Sequence, residues 1–335
     1  MFFFTLQGEK RTYQKQNPLP LLDIRNLTTE FITDDGVVLR AVEDVSFTLE
    51  RGEALGIVGE SGCGKTTAML SLLRLLPHAG RIAGGQALFD GDDLFALSTE
   101  EFRQRRWRDL AMVFQGAMNA LNPVRVIGDQ VREAILLHMP WPRAKVDARV
   151  GELLELVGIP AWRAAQYPHQ YSGGMRQRAM IAMALACNPQ LIVADEPTTA
   201  LDVMIQAQIM ELLDRLRRDL DLAMIIVTHD LGVVAEACQK VLVMYGGRVA
   251  EYGPVEQVFG DPRHPYTQRL LQAFPDLDNP LAKLSSIPGS PPRLSALPTG
   301  CRFHPRCPLA VDRCVVETPI PRPVADRQLV ACHLA

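Results

Sequence analysis

The residues with the clearest chemical potential form one glycine-rich run, Gly59-Glu60-Ser61-Gly62-Cys63-Gly64-Lys65-Thr66-Thr67. The run fits the phosphate-binding pattern G-x-x-x-x-G-K-[ST]. Its glycines let successive backbone N–H groups point at one anion, and the following helix adds the positive end of its dipole. Lys65 can then reach the β- and γ-phosphates, and the Thr66 hydroxyl can ligate Mg²⁺. We therefore predict a nucleotide site, against the alternative of a glycine-rich turn with an accidental lysine.

Four polar residues each follow a short apolar strand, namely Gln115, Asp195, Glu196 and His229. Parallel strands would bring all four to one sheet edge around the nucleotide. Asp195 is predicted to hold Mg²⁺ and Glu196 to act as the base that polarises the attacking water. His229 is predicted to contact the γ-phosphate. The alternatives are a solvated turn for the carboxylates and a structural role for His229, and Gln115 alone carries little information.

A second anion-binding pattern lies in Tyr171-Ser172-Gly173-Gly174-Met175-Arg176-Gln177-Arg178. Two glycines open a predicted helix beside a serine hydroxyl, which is a second helix N-terminus able to bind phosphate. A chain that folds around one nucleotide has no obvious use for two such sites. In a head-to-tail dimer, each copy could close the other subunit's nucleotide site.

The surrounding pattern predicts the elements that position these residues. Alternating apolar residues between Pro20 and Glu50 predict antiparallel strands with a turn at Asp34-Asp35-Gly36, and Glu53–Val58 predicts a buried strand before the loop. Helices are predicted over Thr66–Leu76, Thr99–Asp109, Val126–Met139, Arg143–Val157, Ser172–Ala186 and Ile205–Leu220. Strands that alternate with helices predict an α/β fold with a mainly parallel sheet.

Length and composition narrow the class of protein. The 335 residues suffice for one large domain and a smaller one, and the net charge of −3 gives no reason to expect nucleic acid as a partner. No apolar run approaches 18 residues, and the start at Met1 lacks the features of a signal peptide. We expect a cytosolic protein with a polar tail at residues 1–19, a main domain at 20–260 and a proline-rich extension at 261–335.

Four of the seven cysteines crowd the extension: Cys301, Cys307, Cys314 and Cys332. In a reducing compartment such a cluster favours metal binding over disulfides. Zinc suits four thiolates, but structural zinc sites usually show C-x₂₋₄-C pairs, which are absent here. The wider spacing favours an iron–sulfur cluster, and four reduced cysteines in a packed cap are the alternative.

The six separated motifs, in this order, resemble the ATP-binding subunits of ABC transporters over about Pro20 to Gly260. The resemblance implies a P-loop NTPase fold with a RecA-like core, an antiparallel β layer, a helical subdomain at about residues 116–172 and a small Cys-rich C-terminal extension. It implies catalytic roles for Lys65, Gln115, Glu196 and His229, with Mg²⁺ at Thr66, Gln115 and Asp195. It assigns ATP binding to Phe31, Gly59–Thr67, Gln115, Ser172, Gly173, Gly174, Gln177, Asp195 and Asp202.

The resemblance maps six motifs: Walker A at Gly59–Thr66, the Q-loop at Gln115, the signature motif at Ser172–Gln177, Walker B at Leu191–Asp195, the D-loop at Ala200-Leu201-Asp202 and the switch histidine at His229. Tyr171 departs from the leucine usual before Ser-Gly-Gly, and we expect it to support the start of the helix. Phe31 is the candidate that stacks on adenine. A phenylalanine of the core is the alternative for Phe31.

A narrower resemblance rests on Phe114–Pro123, on His264-Pro265-Tyr266-Thr267 and on the proline-rich tail. These segments are similar to the dipeptide/oligopeptide importer branch. In that branch, two ATPases work at the cytoplasmic face of the membrane under two permease subunits, fed by an extracytoplasmic solute-binding protein. The resemblance implies a groove for a permease coupling helix in the helical insertion. It also implies a [4Fe–4S] cluster at the four cysteines, with zinc as the alternative.

Two other readings compete with a peptide importer. The first is a soluble ABC ATPase that acts on DNA, ribosomes or cluster assembly. The chain lacks the long heptad arms and the excess positive charge that a DNA-repair type would need. A regulatory subunit that binds ATP without hydrolysing it is the second, and Glu196 and His229 argue against it. The sequence selects no solute among dipeptides, longer peptides, nickel and sugars, and it leaves open whether the second ATPase is a copy or a homologue.

Overall fold

The computed structural model describes residues 19–116, 120–199, 201–273 and 286–335. The predicted polar tail, except Leu19, lies outside these ranges, as do Ala117-Met118-Asn119 and Ala200 of the motif segments. The described strands are β1 (Leu22–Ile32), β2 (Val38–Leu49), β3 (Ala54–Val58), β4 (Gly80–Phe89), β5 (Asp92–Asp93), β6 (Leu110–Val113), β7 (Leu191–Asp195), β8 (Ala223–Val227), β9 (Lys240–Tyr245), β10 (Arg248–Pro254), β11 (Arg322–Ala325) and β12 (Gln328–Val330).

The α-helices of the described chain follow the same order. They are α1 (Lys65–Leu72), α2 (Thr99–Arg105), α3 (Ile127–His138), α4 (Arg143–Leu156), α5 (Gly173–Ala184), α6 (Val203–Leu220), α7 (Leu231–Ala237), α8 (Val255–Gly260), α9 (Pro265–Gln272) and α10 (Asp312–Val316). Within the described ranges, none of these helices is long and apolar enough to cross a membrane.

A four-stranded antiparallel layer precedes and flanks the phosphate loop, as predicted. Its order is β2-β1-β4-β5. The predicted turn between β1 and β2 forms at Gly36, which has a φ of 80° and donates its N–H to the Thr33 carbonyl at 2.8 Å. At such a positive φ, glycine avoids the steric cost that a side chain would meet.

The central sheet has the order β11-β12-β10-β9-β3-β8-β7-β6, and its strands from β9 to β6 run parallel. Successive side chains of a strand point to opposite faces, so both faces of this buried sheet must be apolar. In β8, Ala223, Ile225 and Val227 enter one core, while Met224 and Ile226 enter the other. One core holds the antiparallel layer and α1, and the other holds helices α3 to α7.

Two helices end earlier than predicted, because a residue shortly after each helix adopts a left-handed backbone conformation. The structure ends α1 at Leu72 instead of Leu76, and Arg74 follows with a φ of 50°. It ends α2 at Arg105 instead of Asp109, and Trp107 has a φ of 62°. The indole of Trp107 donates to the Met183 carbonyl at 3.1 Å, so a tertiary contact replaces the last helical turn.

The C-terminal extension joins the central sheet. Glu251 and Tyr252 of β10 pair with Val330 and Leu329 of β12, and β12 pairs with β11. The domain boundary near Gly260 stays a prediction. Main-chain hydrogen bonds continue across this position, as between Asp261 and Gln257.

A buried histidine links this extension to the domain. His264 caps α9 by accepting from the Tyr266 N–H at 3.0 Å, and its own N–H donates to Glu251 at 3.0 Å. Burial lowers the pKa of His264 from 6.5 to about 4, against the opposing effect of a hydrogen bond to the Ala331 carbonyl. The folded protein therefore binds this proton less readily than the unfolded chain, and stability falls as the pH drops from about 6.5 towards 4.

We predict that replacing His264 with asparagine, which can still cap a helix, weakens this pH dependence. Between pH 7.5 and 5.5, the wild-type protein should lose about 1.4 kcal/mol more unfolding free energy than the variant. Urea unfolding at both pH values measures the difference. Equal losses in the two proteins would show that His264 does not titrate in this way.

Candidate nucleotide site

The phosphate loop connects β3 to α1 in a conformation that only glycine accommodates at two positions. Gly59 has a φ of 147° and Gly64 a φ of 101°. A Cβ atom on Gly59 would lie 2.2 Å from the Met244 carbonyl oxygen, and one on Gly64 would lie 2.5 Å from the Ala41 carbonyl oxygen. Neighbouring main chain therefore forces glycine at both ends of the loop, while Ser61 and Gly62 are exposed at its tip.

Lys65 lies inside the loop. Its side chain is nearly buried, and its Nζ donates to the Gly59 carbonyl at 2.6 Å and to the Glu60 carbonyl at 3.2 Å. The Cys63 Sγ lies 3.8 Å from the same nitrogen. The ammonium is thus held among weak acceptors that phosphate oxygens could replace with stronger, charge-assisted hydrogen bonds.

Two groups suited to Mg²⁺ meet at the start of α1 and the end of β7. Thr66 Oγ1 donates to Asp195 Oδ1 at 3.2 Å, and Asp195 is 2% exposed. Burial raises the pKa of the Asp195 carboxyl, and the charge of Glu196 raises it further, although Thr66 and Lys65 oppose this shift. A divalent cation at this position would favour the ionised carboxylate.

Glu196 collects three polar neighbours at the sheet edge. Its Oε2 accepts from Gln115 Nε2 at 2.8 Å and from Thr199 Oγ1 at 2.8 Å, and its Oε1 lies 3.5 Å from His229 Nδ1. Its backbone φ is 44°, a left-handed conformation that costs a glutamate on the order of 1 kcal/mol or more. Strained backbone of this kind concentrates at functional sites.

Gln115 contacts the Glu196 carboxylate, which follows Asp195 directly in the sequence. Its amide nitrogen donates to Glu196. Its assignment as a Mg²⁺ ligand stays a prediction, and the geometry gives it a contact with the candidate base that the sequence did not indicate.

The second glycine pattern starts a helix as predicted. Ser172 caps α5 by accepting from the Met175 N–H at 3.3 Å. Gly174 packs on α6, where an added Cβ would lie 2.7 Å from Ile205 Cγ2. Gln177 is buried, and its Nε2 has no hydrogen-bond partner among the described residues.

Asp202 and Tyr171 support the ends of two helices. Asp202 accepts from the Ile205 N–H at 3.0 Å and so caps α6, which adjoins the start of α5. Tyr171 is buried and donates its hydroxyl to the Arg163 carbonyl at 3.0 Å, and burial raises its pKa to about 12. These contacts agree with a supporting role for Tyr171.

Phe31, the candidate for adenine stacking, lies in β1 opposite Leu39 of β2 and Gly80 of β4. The strand opposite Phe31 leads to the phosphate loop, because the carbonyl of Ala41, two residues after Leu39, packs against Gly64. The ring is half-buried against Gly80. Its contact with a nucleotide stays a prediction.

Three further residues touch the site and were not predicted from the sequence: Thr199, Tyr266 and Arg306. Thr199 follows Glu196 by three residues, so the hydroxyl spacing was an available signal. Tyr266 accepts from the Glu60 N–H at 2.9 Å, and Arg306 forms an ion pair with the Glu60 carboxylate at 2.6 Å. Tyr266 and Arg306 are each more than 200 residues from Glu60 in the sequence, and no local sequence pattern predicts contacts over such a separation.

The four C-terminal thiols lie within electrostatic reach of one another and form no disulfide. Burial raises the pKa of the Cys301 thiol to about 11, and charges on Cys314, Cys307 and Cys332 raise it further. Within the described ranges, no three His, Cys, Asp or Glu side chains are arranged to hold a metal ion. Neither the predicted iron–sulfur cluster nor its zinc alternative gains support from this arrangement.

Two family models match the chain. The model described as ABC transporter matches residues 42–199. The model described as oligopeptide/dipeptide transporter, C-terminal region, matches residues 250–314. The first range contains the phosphate loop, Gln115, the second glycine pattern and Glu196, and the second contains Cys301, Cys307 and Cys314.

Several curated proteins are similar over nearly their full length. A putative peptide import ATP-binding protein of Brucella abortus is 50% identical over 303 residues, which cover 90% of this chain and 91% of that protein. The oligopeptide transport ATP-binding protein OppD of Salmonella typhimurium is 48% identical, with 93% of each chain covered. The dipeptide transport ATP-binding protein DppD of Escherichia coli is 45% identical, with 94% of this chain and 97% of that protein covered.

Solved structures share the fold. CbiO1 of Clostridium perfringens, described as part of an ABC transporter complex, is 28% identical with a TM-score of 0.62, and the match covers 72% of this chain and 91% of that one. A dimeric ATP-binding cassette in a post-hydrolysis state, bound to ADP and Pi, is 27% identical with the same TM-score, covering 70% and 98%. The predicted α/β P-loop fold is thereby confirmed.

Proposed function

Because this chain belongs to the family of ATP-binding subunits of ABC transporters, we propose that it hydrolyses ATP to power the import of peptides across the cytoplasmic membrane. One observation carries the catalytic part: the phosphate loop, the Thr66–Asp195 pair and a Glu196 surrounded by polar groups meet at one sheet edge. The peptide branch is supported by the match of the extension and by relatives named for peptide import.

Each residue at this edge has a distinct part in the proposed hydrolysis. Lys65 binds the β- and γ-phosphates, and Thr66 and Asp195 would hold Mg²⁺, which would neutralise phosphate charge when bound. Glu196 accepts a proton from the attacking water, and Gln115 and Thr199 hold its carboxylate in place by hydrogen bonds.

His229 lies 3.5 Å from Glu196 and is largely exposed, so it can reach the γ-phosphate as charge develops there. Phe31 is proposed to stack on the adenine ring.

A second ATPase subunit completes the proposed site. Ser172, Gly173 and Gly174 open α5 on the surface of the chain, where a helix N-terminus can bind the γ-phosphate held by a partner. Gln177 and Asp202 are proposed to support this contact across the interface. Closure of the two subunits on ATP and their separation after hydrolysis would supply the conformational change that drives transport.

The proposed membrane partners are two permease subunits, with an extracytoplasmic solute-binding protein delivering the peptide. The helical subdomain exposes several apolar side chains, among them Val124, Leu136, Leu137 and Trp162. Where such side chains form one contiguous patch, they are typical of protein interfaces. We propose that this surface receives a permease coupling helix and holds the chain peripherally at the cytoplasmic face.

Purification from native membranes tests these partners. The chain would be isolated in mild detergent through an affinity tag, and its companions identified by mass spectrometry. Recovery with two permeases and a second ATPase is the expected result. Recovery alone, without any membrane protein, would contradict the importer and favour an ATPase that is not coupled to transport.

We further propose that Cys301, Cys307, Cys314 and Cys332 hold a [4Fe–4S] cluster. The chemical type of the donors supports this proposal, because iron–sulfur clusters are bound by four cysteine thiolates. Burial, and to a lesser extent the neighbouring thiols, raise the pKa of Cys301 and Cys307, and bound iron would favour their thiolate forms. The cluster is proposed to stabilise the extension, and no step of hydrolysis passes through it.

Iron analysis tests the cluster directly. Protein purified without oxygen is expected to contain about four iron and four sulfide per chain and to absorb near 400 nm. Replacing Cys314 with serine should abolish both signals, whereas replacing Cys187, a buried cysteine of the main domain, should leave them unchanged. Colourless, iron-free wild-type protein would rule the cluster out.

A further inference from the structure

We infer that Arg306 of the C-terminal extension is a positioning residue for the phosphate loop. Its two terminal nitrogens donate to the two oxygens of Glu60, at 2.6 and 3.0 Å. Glu60 is the second residue of the loop, and the Arg306 side chain is only 6% exposed. Bidentate pairs of this kind fix orientation as well as charge. The inference rests on the proposed function, because it assumes that this loop binds ATP.

The guanidinium of Arg306 is fully occupied. Besides Glu60, it donates to the Tyr245 hydroxyl at 3.2 Å and to the carbonyls of Pro288 and Ile287 at 2.7 and 3.3 Å. These contacts use all five of its N–H donors. Such a group has one well-defined orientation, so it can hold a loop residue in place.

The main chain of Glu60 is held from the same side. Its N–H donates to the hydroxyl of the fully buried Tyr266. Tyr266 packs on Tyr245 and Phe303, with ring centroids 4.6 and 5.3 Å away. Glu60 is therefore held at its carboxylate by Arg306 and at its backbone by Tyr266, and both residues follow β10 in the sequence.

A second arginine of the extension contacts the middle of the loop indirectly. Arg302 donates to the Gly246 carbonyl and to Glu43. The next residue, Gly247, donates its N–H to the Cys63 carbonyl at 2.9 Å. The extension thus contacts the loop directly at Glu60 and through one intermediate turn at Cys63.

These contacts bear on phosphate binding in two ways. The Glu60 carbonyl is an acceptor for Lys65, so displacement of Glu60 also disturbs the lysine that would bind phosphate. An unpaired Glu60 carboxylate would place a negative charge next to the nucleotide's own charges, and Arg306 neutralises it. A loop that is ordered and neutralised in advance binds its ligand more tightly.

The test compares the full-length protein with Arg306→Gln, Glu60→Gln and the double variant. Arg313→Gln is the matched control, because Arg313 lies in the same extension and forms a bidentate pair with Glu317 that is exposed to solvent. Binding of a fluorescent ATP analogue with Mg²⁺ gives Kd without turnover, and steady-state hydrolysis separates KM from kcat. Arg306→Lys, which keeps the charge and most of the stem, serves as the milder change.

We expect Arg306→Gln to weaken binding about tenfold, with KM raised more than kcat is lowered. The ATP affinity of Arg306→Lys should lie between those of Arg306→Gln and the wild type. The double variant should bind ATP no more weakly than the single variant with the lower affinity, because the two residues act as one unit. Should Arg306→Gln fail to fold, Arg306→Lys alone decides. The inference is overturned if the folded Arg306 variants bind ATP within twofold of Arg313→Gln, or if the two single effects add. Failure of the wild-type protein to bind ATP would instead remove the proposed function.

Discussion

Replacing Glu196 with glutamine should reduce ATP hydrolysis at least about 100-fold while ATP binding stays within a few-fold of wild type. The amide keeps the size of the side chain and can still accept from Gln115 and Thr199, which donate to Oε2 at 2.8 Å. It cannot accept a proton from water. Because Lys65 and Thr66 are untouched, the phosphates should bind as before. Phosphate release and binding of a fluorescent ATP analogue measure the two effects.

An exposed glutamate provides the control for this variant. Glu211 lies on the solvent side of α6, and its replacement by glutamine removes the same charge without touching the sheet edge. We expect wild-type rates from that protein. Rapid hydrolysis by the Glu196→Gln variant would show that another group acts as the base, and it would contradict the proposed mechanism.

Replacing Lys65 with alanine should weaken ATP binding by about 100-fold or more and remove measurable hydrolysis. The ammonium is the one positively charged side chain of the loop, and its Nζ already lies at the Gly59 and Glu60 carbonyls. Its loss removes a charge-assisted contact to phosphate and leaves these two carbonyl groups without their donor. Equilibrium binding with Mg²⁺ and the ATP analogue measures the change.

Lys145→Ala is the matched control for that lysine. Lys145 is exposed on α4 and lies over the Trp141 ring at 3.9 Å, so its removal changes the same charge at a distance from the loop. Circular dichroism should show both variants folded. Normal ATP affinity in a folded Lys65→Ala protein would contradict the assignment of Gly59–Thr67 as the phosphate site.

Much of the fold could be predicted because its signals are local. The phosphate loop lies between an apolar strand and a helix, and α3 and α4 begin and end within one residue of the predicted bounds. Ser172 and Asp202 cap helices through their own side chains. These interactions join residues that are close in sequence, so the sequence alone is enough to predict them.

Long-range contacts escaped prediction for the opposite reason. The last turns of α1 and α2 are replaced by left-handed residues whose conformation depends on packing. The amide of Gln115 reaches Glu196, 81 residues away, and Arg306 reaches Glu60, 246 residues away. No periodicity or spacing encodes such pairs, because the folded sheet and the returning extension create them.

The proposed role in import is tested most directly by peptide uptake. Cells that lack this chain would be supplied with the wild-type protein or with Glu196→Gln, at matched expression, and given radiolabelled di- and oligopeptides. We predict that the wild-type protein restores uptake of at least one peptide class and that the variant does not. Equal uptake with and without the chain for every peptide length, or full restoration by Glu196→Gln, would contradict an ATPase that powers peptide import.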